Sequence, residues 1–476
     1  MKRTNEDDKL EELVEGRGVT KGKSVRTSSA RTLSRKNESA GLIRLREAVR
    51  RRRKERLTAL LHHVTPELLR QSYYELKRQA APGVDGVTWQ EYEEGMEGRI
   101  TDLHRRVHQG TYRARPSRRT YILKEDGRKR PLGISALEDK IVQQAVRTVL
   151  EVIYEEEFLG FSYGFRPGRS QHNALDALWV GIVDRPINWV LDADIRGYFD
   201  AIDHGWLVRM IEHRIGDRRI LRLITLWLKA GVFEQGQWSP SEEGTPQGAV
   251  ISPLLANIYL HYVLDLWSRA HRNQPGKGAM IIVRYADDFV VGFQHLKDAQ
   301  RYWQELSERL GQFGLELSAE KTRLIEFGRH AARDRQRSGQ KRPDTFVFLG
   351  FRHICGKNRK GGFTILRKTV GKRLRKSLKK FREQLRRRRH DPLPEQGKWI
   401  RAVVQGYFNY HAVPGNSNVL NSFRTAVNRA WRRSLKRRSQ KNQLTWERFN
   451  RYVRRWIPSV RILHPPPFMR FSVPPR

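Results

Sequence analysis

This sequence predicts a mixed α/β (α+β) chain followed by an all-helical, strongly basic region, and three observations carry the prediction. Helical spacing alternates with short strand-like runs over about 110 to 355, and after 365 only helical spacing remains. The 476 residues also hold 93 Lys plus Arg against 51 Asp plus Glu, a net charge of +42 with a pI near 10.9. Such an excess demands a polyanionic partner.

Residues 1–40 are polar, basic and aperiodic, and read as a flexible tail. From 41 the pattern turns helical, through Leu42, Leu45 and Val49 and then Leu57, Leu60, Leu61 and Val64, around the run Arg50 to Lys54. A further helix follows Pro66. Tyr121 to Leu123, Asp126-Gly127, and Leu132 with Ile134 predict a hairpin over 119–135. Helical spacing returns over 137–154. The run from Trp189 to Ile195 is a strand, apolar except at Asp192 and Asp194. A long helix over 249–266, two short strands around Ala286-Asp287-Asp288, a helix over 298–313 and a strand from Phe346 to Phe351 complete the α/β part.

Beyond 365, Val370, Leu374, Leu378, Phe381 and Leu385 mark one helical stripe. Thirteen of the 24 residues from 367 to 390 are Lys or Arg, opposed only by Glu383. Charged faces normally mix signs, so this one favours a ligand over mere solvation. His390 to Gln396 reads as a linker, Trp399 to about Arg455 as further helices, and 458–476 as a Pro-rich tail.

Hydrophobic residues make up 38% of the chain, enough with its 37 Gly to bury real cores. The single cysteine, Cys355, excludes an intramolecular disulfide, a multi-cysteine zinc site and a CxxC redox motif, and suggests an intracellular protein. The longest apolar stretch, 249–266, is interrupted by Ser252, Asn257 and His261, which argues against a membrane span. Glu6, Asp7, Asp8, Glu11 and Glu12 argue against a transit peptide. The charge leaves two partners, nucleic acid or an anionic membrane surface. Basic residues interleaved with aromatic ones along most of the chain favour nucleic acid.

Asp194, Asp287 and Asp288 sit in or beside apolar strands, where an unpaired charge is costly. Turn chemistry would account for any one of them. Two adjacent aspartates between buried strands instead raise a pKa or demand a cation, and hard Mg²⁺ takes carboxylate oxygens while keeping positions open for phosphate. If the Asp194 strand lies beside the hairpin, the three acids could complete a two-metal site for phosphoryl transfer. Spacing alone does not establish that adjacency.

The blocks APGVDG (81–86), RPLGI (130–134), GFRPGRS (164–170), DADIRGYFD (192–200), GTPQGAVISPLLANIYL (244–260), YADD (285–288), LSAEKT (317–322) and FLGF (348–351) occur in that order. YADD alone is a weak signal, but the set closely resembles group II intron reverse transcriptases, and GYFNYHAVPGN (406–416) extends the likeness into the maturase region. The resemblance covers roughly 42 to 470. It implies a right-hand polymerase with an N-terminal helical fingers extension (41–110), fingers and palm (111–355), a helical thumb or maturase (X) domain (365–457) and a C-terminal tail (458–476).

It also implies roles. Asp194, Asp287 and Asp288 would be catalytic and hold two Mg²⁺ ions, with the Ile195 carbonyl serving the second. Phe199 would exclude a ribose 2′-hydroxyl. Lys124, Arg130, Gln247 and Lys321 would complete the nucleotide site, and Leu349 and Gly350 would support the primer end. Candidate nucleic-acid contacts are Arg50, Arg51, Arg52, Arg53, Arg166, Arg169, Lys372, Arg375, Lys379, Arg386, Arg387, Arg432 and Arg433. Trp399, Tyr407, Tyr410, Trp431, Trp446 and Trp456 could stack on bases or simply fill a core.

The implied partners are intron RNA and RNA template, DNA primer and target DNA, and dNTPs, with no membrane and the oligomeric state open. The implied setting is a cytoplasmic, bacterial, nucleoid- or ribonucleoprotein-associated enzyme. With no paired cysteines, a zinc-dependent endonuclease is not expected, which suggests a short, group IIC-like lineage. Two other readings stay open: a non-enzymatic splicing cofactor, and a domesticated polymerase in repair or defence.

Overall fold

In the computed structural model, residues 39–53, 55–123, 129–246, 248–339, 343–438 and 444–470 are described. The expected tail before 39, Lys54, Lys124, Gln247 and the last residues of the Pro-rich tail lie outside them. Eleven strands occur among the described residues: β1 Ser117–Leu123, β2 Lys129–Ile134, β3 Trp189–Asp194, β4 Val232–Glu234, β5 Gln237–Ser239, β6 Met280–Tyr285, β7 Asp288–Phe293, β8 Arg323–Glu326, β9 Phe346–Phe348, β10 Phe351–Lys357 and β11 Phe363–Thr369. They form three sheets, ordered β2-β1-β4-β5, β6-β7-β3-β8 and β11-β10-β9.

The expected hairpin is β1–β2, antiparallel from Arg118 opposite Ile134 to Leu123 opposite Lys129. The second sheet carries the segments that the resemblance assigns to a palm. β7 and β3 occupy its centre, and their apolar side chains serve two cores because alternate residues face opposite sides. Leu191, Ala193, Phe289 and Val291 face a large cluster shared with helices Leu137–Tyr154 and Leu296–Gly311. Val190 and Val290 face a second cluster that includes Leu178, Phe346 and Phe351.

Helix Ala40–Arg51 is capped by Ser39 Oγ, which accepts from the Leu42 amide, and Leu42, Leu45 and Val49 bury its inner face. The expected continuation through Leu57 to Val64 is not a helix. Leu57 instead bridges Ile215, and only Leu61–His63 makes a short 3₁₀ turn. The Asp217 carboxylate, at the N-cap of helix Arg218–Leu228, accepts from the Leu60 and Leu61 amides and ties this segment down. Arg214, buried, donates to the Arg52 carbonyl at 2.8 Å and to Glu157 at 2.8 Å.

The long helix expected over 249–266 runs from Ser252–Leu260 through a π-helical turn, His261–Asp265, into Leu266–Arg272. The expected helix from 367 begins only at Gly371, because β11 occupies Phe363–Thr369. There Ile365, Arg367 and Thr369 point inward at a period of two. The expected linker is also corrected: Pro392 is the N-cap and Leu393–Gln396 the first turn of helix Leu393–His411.

Helices Gly371–Arg387, Leu393–His411, Ser417–Lys436 and Trp446–Trp456 pack around Phe381, Ile400, Val404, Phe423 and Trp431. Trp431 is fully buried, so truncating it to Ala would cost about 3–5 kcal/mol. Its indole N–H donates to Gln396 at 2.6 Å. Past the last of these helices the chain packs against Ala412 and helix Gln171–Asp184. The Leu463 amide donates to the Ala412 carbonyl, the His464 ring lies 3.6 Å from the His172 ring, and Arg470 pairs at 2.6 Å with buried Asp176. Asp176 also takes Arg367 at 2.5 Å.

Candidate active site

The adjacency that spacing left open is explicit in the palm register. Asp194, the last residue of β3, lies directly opposite Asp288, the first residue of β7, and Tyr285 of β6 lies opposite Asp288 on its other side. Asp287 sits in the β6–β7 turn, beside Ala286, whose φ is +58°. The three carboxylates therefore meet at one end of the two central strands. Asp288 reaches solvent, yet protein surrounds most of it. Desolvation, followed by the like charges of Asp287 and Asp194, pushes its carboxyl up to about 7.

Two basic side chains at the start of β8 and just before it meet carboxylates of β3. Lys321 Nζ donates to Asp194 Oδ2 at 2.6 Å, and Arg323 stands 3.4 Å from Asp192 Oδ2. Burial lifts Asp192 to about 6, with Arg323 opposing that shift. Ile195 bridges Leu317, but the flanking bonds run from the Ser318 amide to the Asp194 carbonyl and from the Arg196 amide to the Glu316 carbonyl, not to the Ile195 carbonyl.

Among the described residues, no group of three or more His, Cys, Asp or Glu forms a ready-made metal cage. The carboxylates are nevertheless a donor set suited to a hard divalent cation: oxygen ligands, crowded like charge that a cation would relieve, and an open edge. Asp194, Asp287 and Asp288 would hold it.

Phe199 is half-buried in the short 3₁₀ turn Tyr198–Asp200, edge-on to Tyr198, and its carbonyl accepts from the Thr245 amide at 2.8 Å. That bond ties the 244–246 loop to the 3₁₀ turn that follows β3. Arg130 lies on β2 opposite Ile122. Leu349 (φ +47°) and Gly350 turn the chain between β9 and β10, and the Tyr410 hydroxyl donates to the Leu349 carbonyl at 2.8 Å. Helix Leu393–His411 thus touches the turn expected to support the primer.

The basic candidates separate by burial. Arg166 is corrected: it is 4% exposed, forked on Glu155 and bonded to the Leu159 and Ser162 carbonyls, so its guanidinium is committed to the fold. Arg169 is half-buried, bonded to the Gly160 carbonyl and set over Tyr163. Arg50, Arg51, Arg52 and Arg53 are exposed at the end of their helix, with Arg50 2.9 Å from Glu156. Lys372, Arg375, Lys379, Arg386, Arg387 and Arg433 are exposed too.

Arg432 lies 3.9 Å over the ring of Trp446, which is 54% exposed. Of the six aromatic candidates, Trp431 and Tyr407 are core, and Trp399 stacks on Phe381. Sequence reasoning passed over Arg284, Asp265 and Asn257, which lie buried beneath the YADD turn. The signal was present: Arg284 is the one charge inside an otherwise apolar strand.

Residues 122–353 match the family of reverse transcriptases (RNA-dependent DNA polymerases). The chain is 33% identical to protein YkfC of Escherichia coli over 60% of its own length and 79% of YkfC. It is 39% identical to the group II intron-encoded protein LtrA of Lactococcus lactis over 44% of its length. The chain belongs to the group II intron reverse transcriptase and maturase family. The matched segment spans 36% of LtrA, and 21% of the 28%-identical nuclear intron maturase 4 of Arabidopsis thaliana. This group II intron reverse transcriptase therefore has a right-hand polymerase fold and an RNA-directed DNA polymerase domain, in a family that uses divalent metal ions. No helix among its described residues is long and apolar enough to cross a membrane.

Proposed function

We propose that this protein copies the RNA of a group II intron into cDNA with two Mg²⁺ ions and assists splicing and mobility of that intron. The carrying observation is the register that sets Asp194 opposite Asp288, with Asp287 in the adjoining turn. When bound, the two ions would activate a primer 3′-hydroxyl and stabilise the leaving pyrophosphate. Asp194, Asp287 and Asp288 would hold them, with the Ile195 carbonyl on the second.

The remaining residues bind and orient. Lys321 would leave Asp194 for the triphosphate, joining Arg130 of β2 and Lys124. Gln247 would lie against the incoming nucleotide, and the Phe199 ring would take the space of a 2′-hydroxyl. Four-helix packing after Gly371 supports a thumb over 371–457, preceded by fingers and palm over 111–355 and a fingers extension over 41–110. RNA, DNA primer and dNTPs would be the partners, in a bacterial cytoplasmic ribonucleoprotein. Arg50 to Arg53, Arg169, Lys372, Arg375, Lys379, Arg386, Arg387, Arg432 and Arg433 would follow phosphates, since A-form duplexes are read mainly through backbone and 2′-hydroxyl contacts. Exposed Trp446 under Arg432 is the best-placed base-stacking surface.

The test is Asp287→Ala with Asp288→Ala. Primer extension on RNA should fall by at least about 10³-fold, while RNA affinity stays within a few-fold. Retained synthesis would reject the metal-site assignment.

A further inference from the structure

We infer that Arg284 is a positioning residue for the polymerase centre, holding the backbone of the YADD turn in the conformation that aims Asp287 and Asp288. The inference rests on reading those two aspartates as the metal-binding carboxylates.

The side chains of Arg284 and Asp265 are both fully buried. A buried ion pair rarely improves on apolar packing of the same volume, so stability alone is a weak reason to keep one here. Its geometry supplies another. Nε and Nη2 fork onto the Asp265 carboxylate at 2.8 and 2.6 Å. Nη1 donates both to Asn257 Oδ1 and to the Ala286 carbonyl, each at 3.0 Å.

Ala286 is the residue that needs holding. Its φ of +58° is one that an alanine adopts only when its surroundings impose it. The Arg284 bond to its carbonyl fixes the peptide that leads into Asp287. Asp265 and Asn257 in turn fix the guanidinium. Asp265 closes the π turn His261–Asp265, and an extra residue in a helix rotates everything after it by about 100°. The π turn thus sets the direction in which Asp265 leaves the helix.

The same cluster reaches the GFRPGRS block. Asn257 Nδ2 donates to the Gly164 carbonyl at 2.7 Å, and the Tyr163 amide donates to the Arg284 carbonyl at 2.8 Å. A Cβ on Gly164 would sit 2.2 Å from the Ala286 nitrogen, so only glycine permits this approach. Three separated sequence blocks are locked together behind the turn.

The test uses Arg284→Met combined with Asp265→Leu, which removes both charges and leaves neither unpaired. Expected are an RNA affinity and melting temperature close to those of the parent, a kcat for dNTP addition lower by about 30-fold or more with dNTP KM little changed, and weaker Mn²⁺ binding by EPR titration. Adding Ala286→Gly, which adopts positive φ freely, should recover about fivefold in kcat. Should the double variant fail to fold, Arg284→Lys keeps a cation for Asp265 without the fork, and the same kcat loss and glycine rescue are expected.

Parental kcat and Mn²⁺ affinity in either variant would overturn the inference. So would an activity loss that tracks melting temperature and is not rescued by Ala286→Gly. If the Asp287→Ala, Asp288→Ala protein still polymerises, the underlying site assignment fails instead.

Discussion

Desolvation, and after it the like charges of Asp287 and Asp194, push the Asp288 carboxyl up to about 7, while Lys321 occupies one oxygen of Asp194. These acids would suit a divalent cation, and they were legible because each interrupts an apolar run that reads as strand. Lys321 was legible only through the LSAEKT resemblance, since it meets Asp194 across 127 residues. Arg166 was misread for the converse reason. An arginine in a glycine-rich block looks like a phosphate contact, and nothing local reveals that Glu155 and two carbonyls consume it. Phe199, half-buried and five residues after Asp194 in the chain, yields a prediction of its own. Phe199→Val should raise ribonucleotide incorporation by about 10- to 100-fold in primer extension with matched rNTPs and dNTPs, the scale on which small changes in pocket volume alter selectivity. Unchanged dNTP preference would reject the gate.

At the scale of elements, local patterns succeeded where one period dominated. The β1–β2 hairpin, the palm strands and helix Leu137–Tyr154 all follow from periodicity and turn chemistry. β11 did not, because its inward residues include Arg367, whose charge merged with the basic run that follows. Only the buried partner, Asp176, explains an inward arginine, and it lies 191 residues earlier. Helix Gly371–Arg387 starts later than expected and keeps its exposed basic face. Replacing Arg386, Arg387, Arg388 and Arg389 with Gln should lower the slope of log affinity for RNA against log salt by up to about 0.7–0.9 for each phosphate that the arginines no longer neutralise. Filter binding at several salt concentrations measures this, and an unchanged slope would leave the run as a solvated face.

For the whole molecule, the buried histidines set a limit on acid tolerance. Burial lowers His172 and His353 to about 3 and His261 and His411 to about 4. A histidine whose folded pKa is depressed contributes its stability above the unfolded value of about 6.5, and that contribution is lost as pH falls toward the folded value. For His353, between pH 6.5 and 5, this amounts to about 2 kcal/mol. His353 stacks on Phe346 at 4.7 Å, so His353→Phe keeps the stack and removes the titration. The variant should lose less stability than the parent between pH 7 and 5 in denaturant titrations, and equal losses would place the acid sensitivity elsewhere.

The sharing of Asp176 between Arg367 and Arg470 bears on how the chain is assembled during synthesis. Domains emerge and fold from the N-terminal side, so the helix carrying Asp176 is made long before either cation. Arg470 arrives 294 residues later. Until Arg470 emerges, Asp176 has at most Arg367 to neutralise it, so the two-arginine site is completed only after the helices from Gly371 to Trp456 have been made.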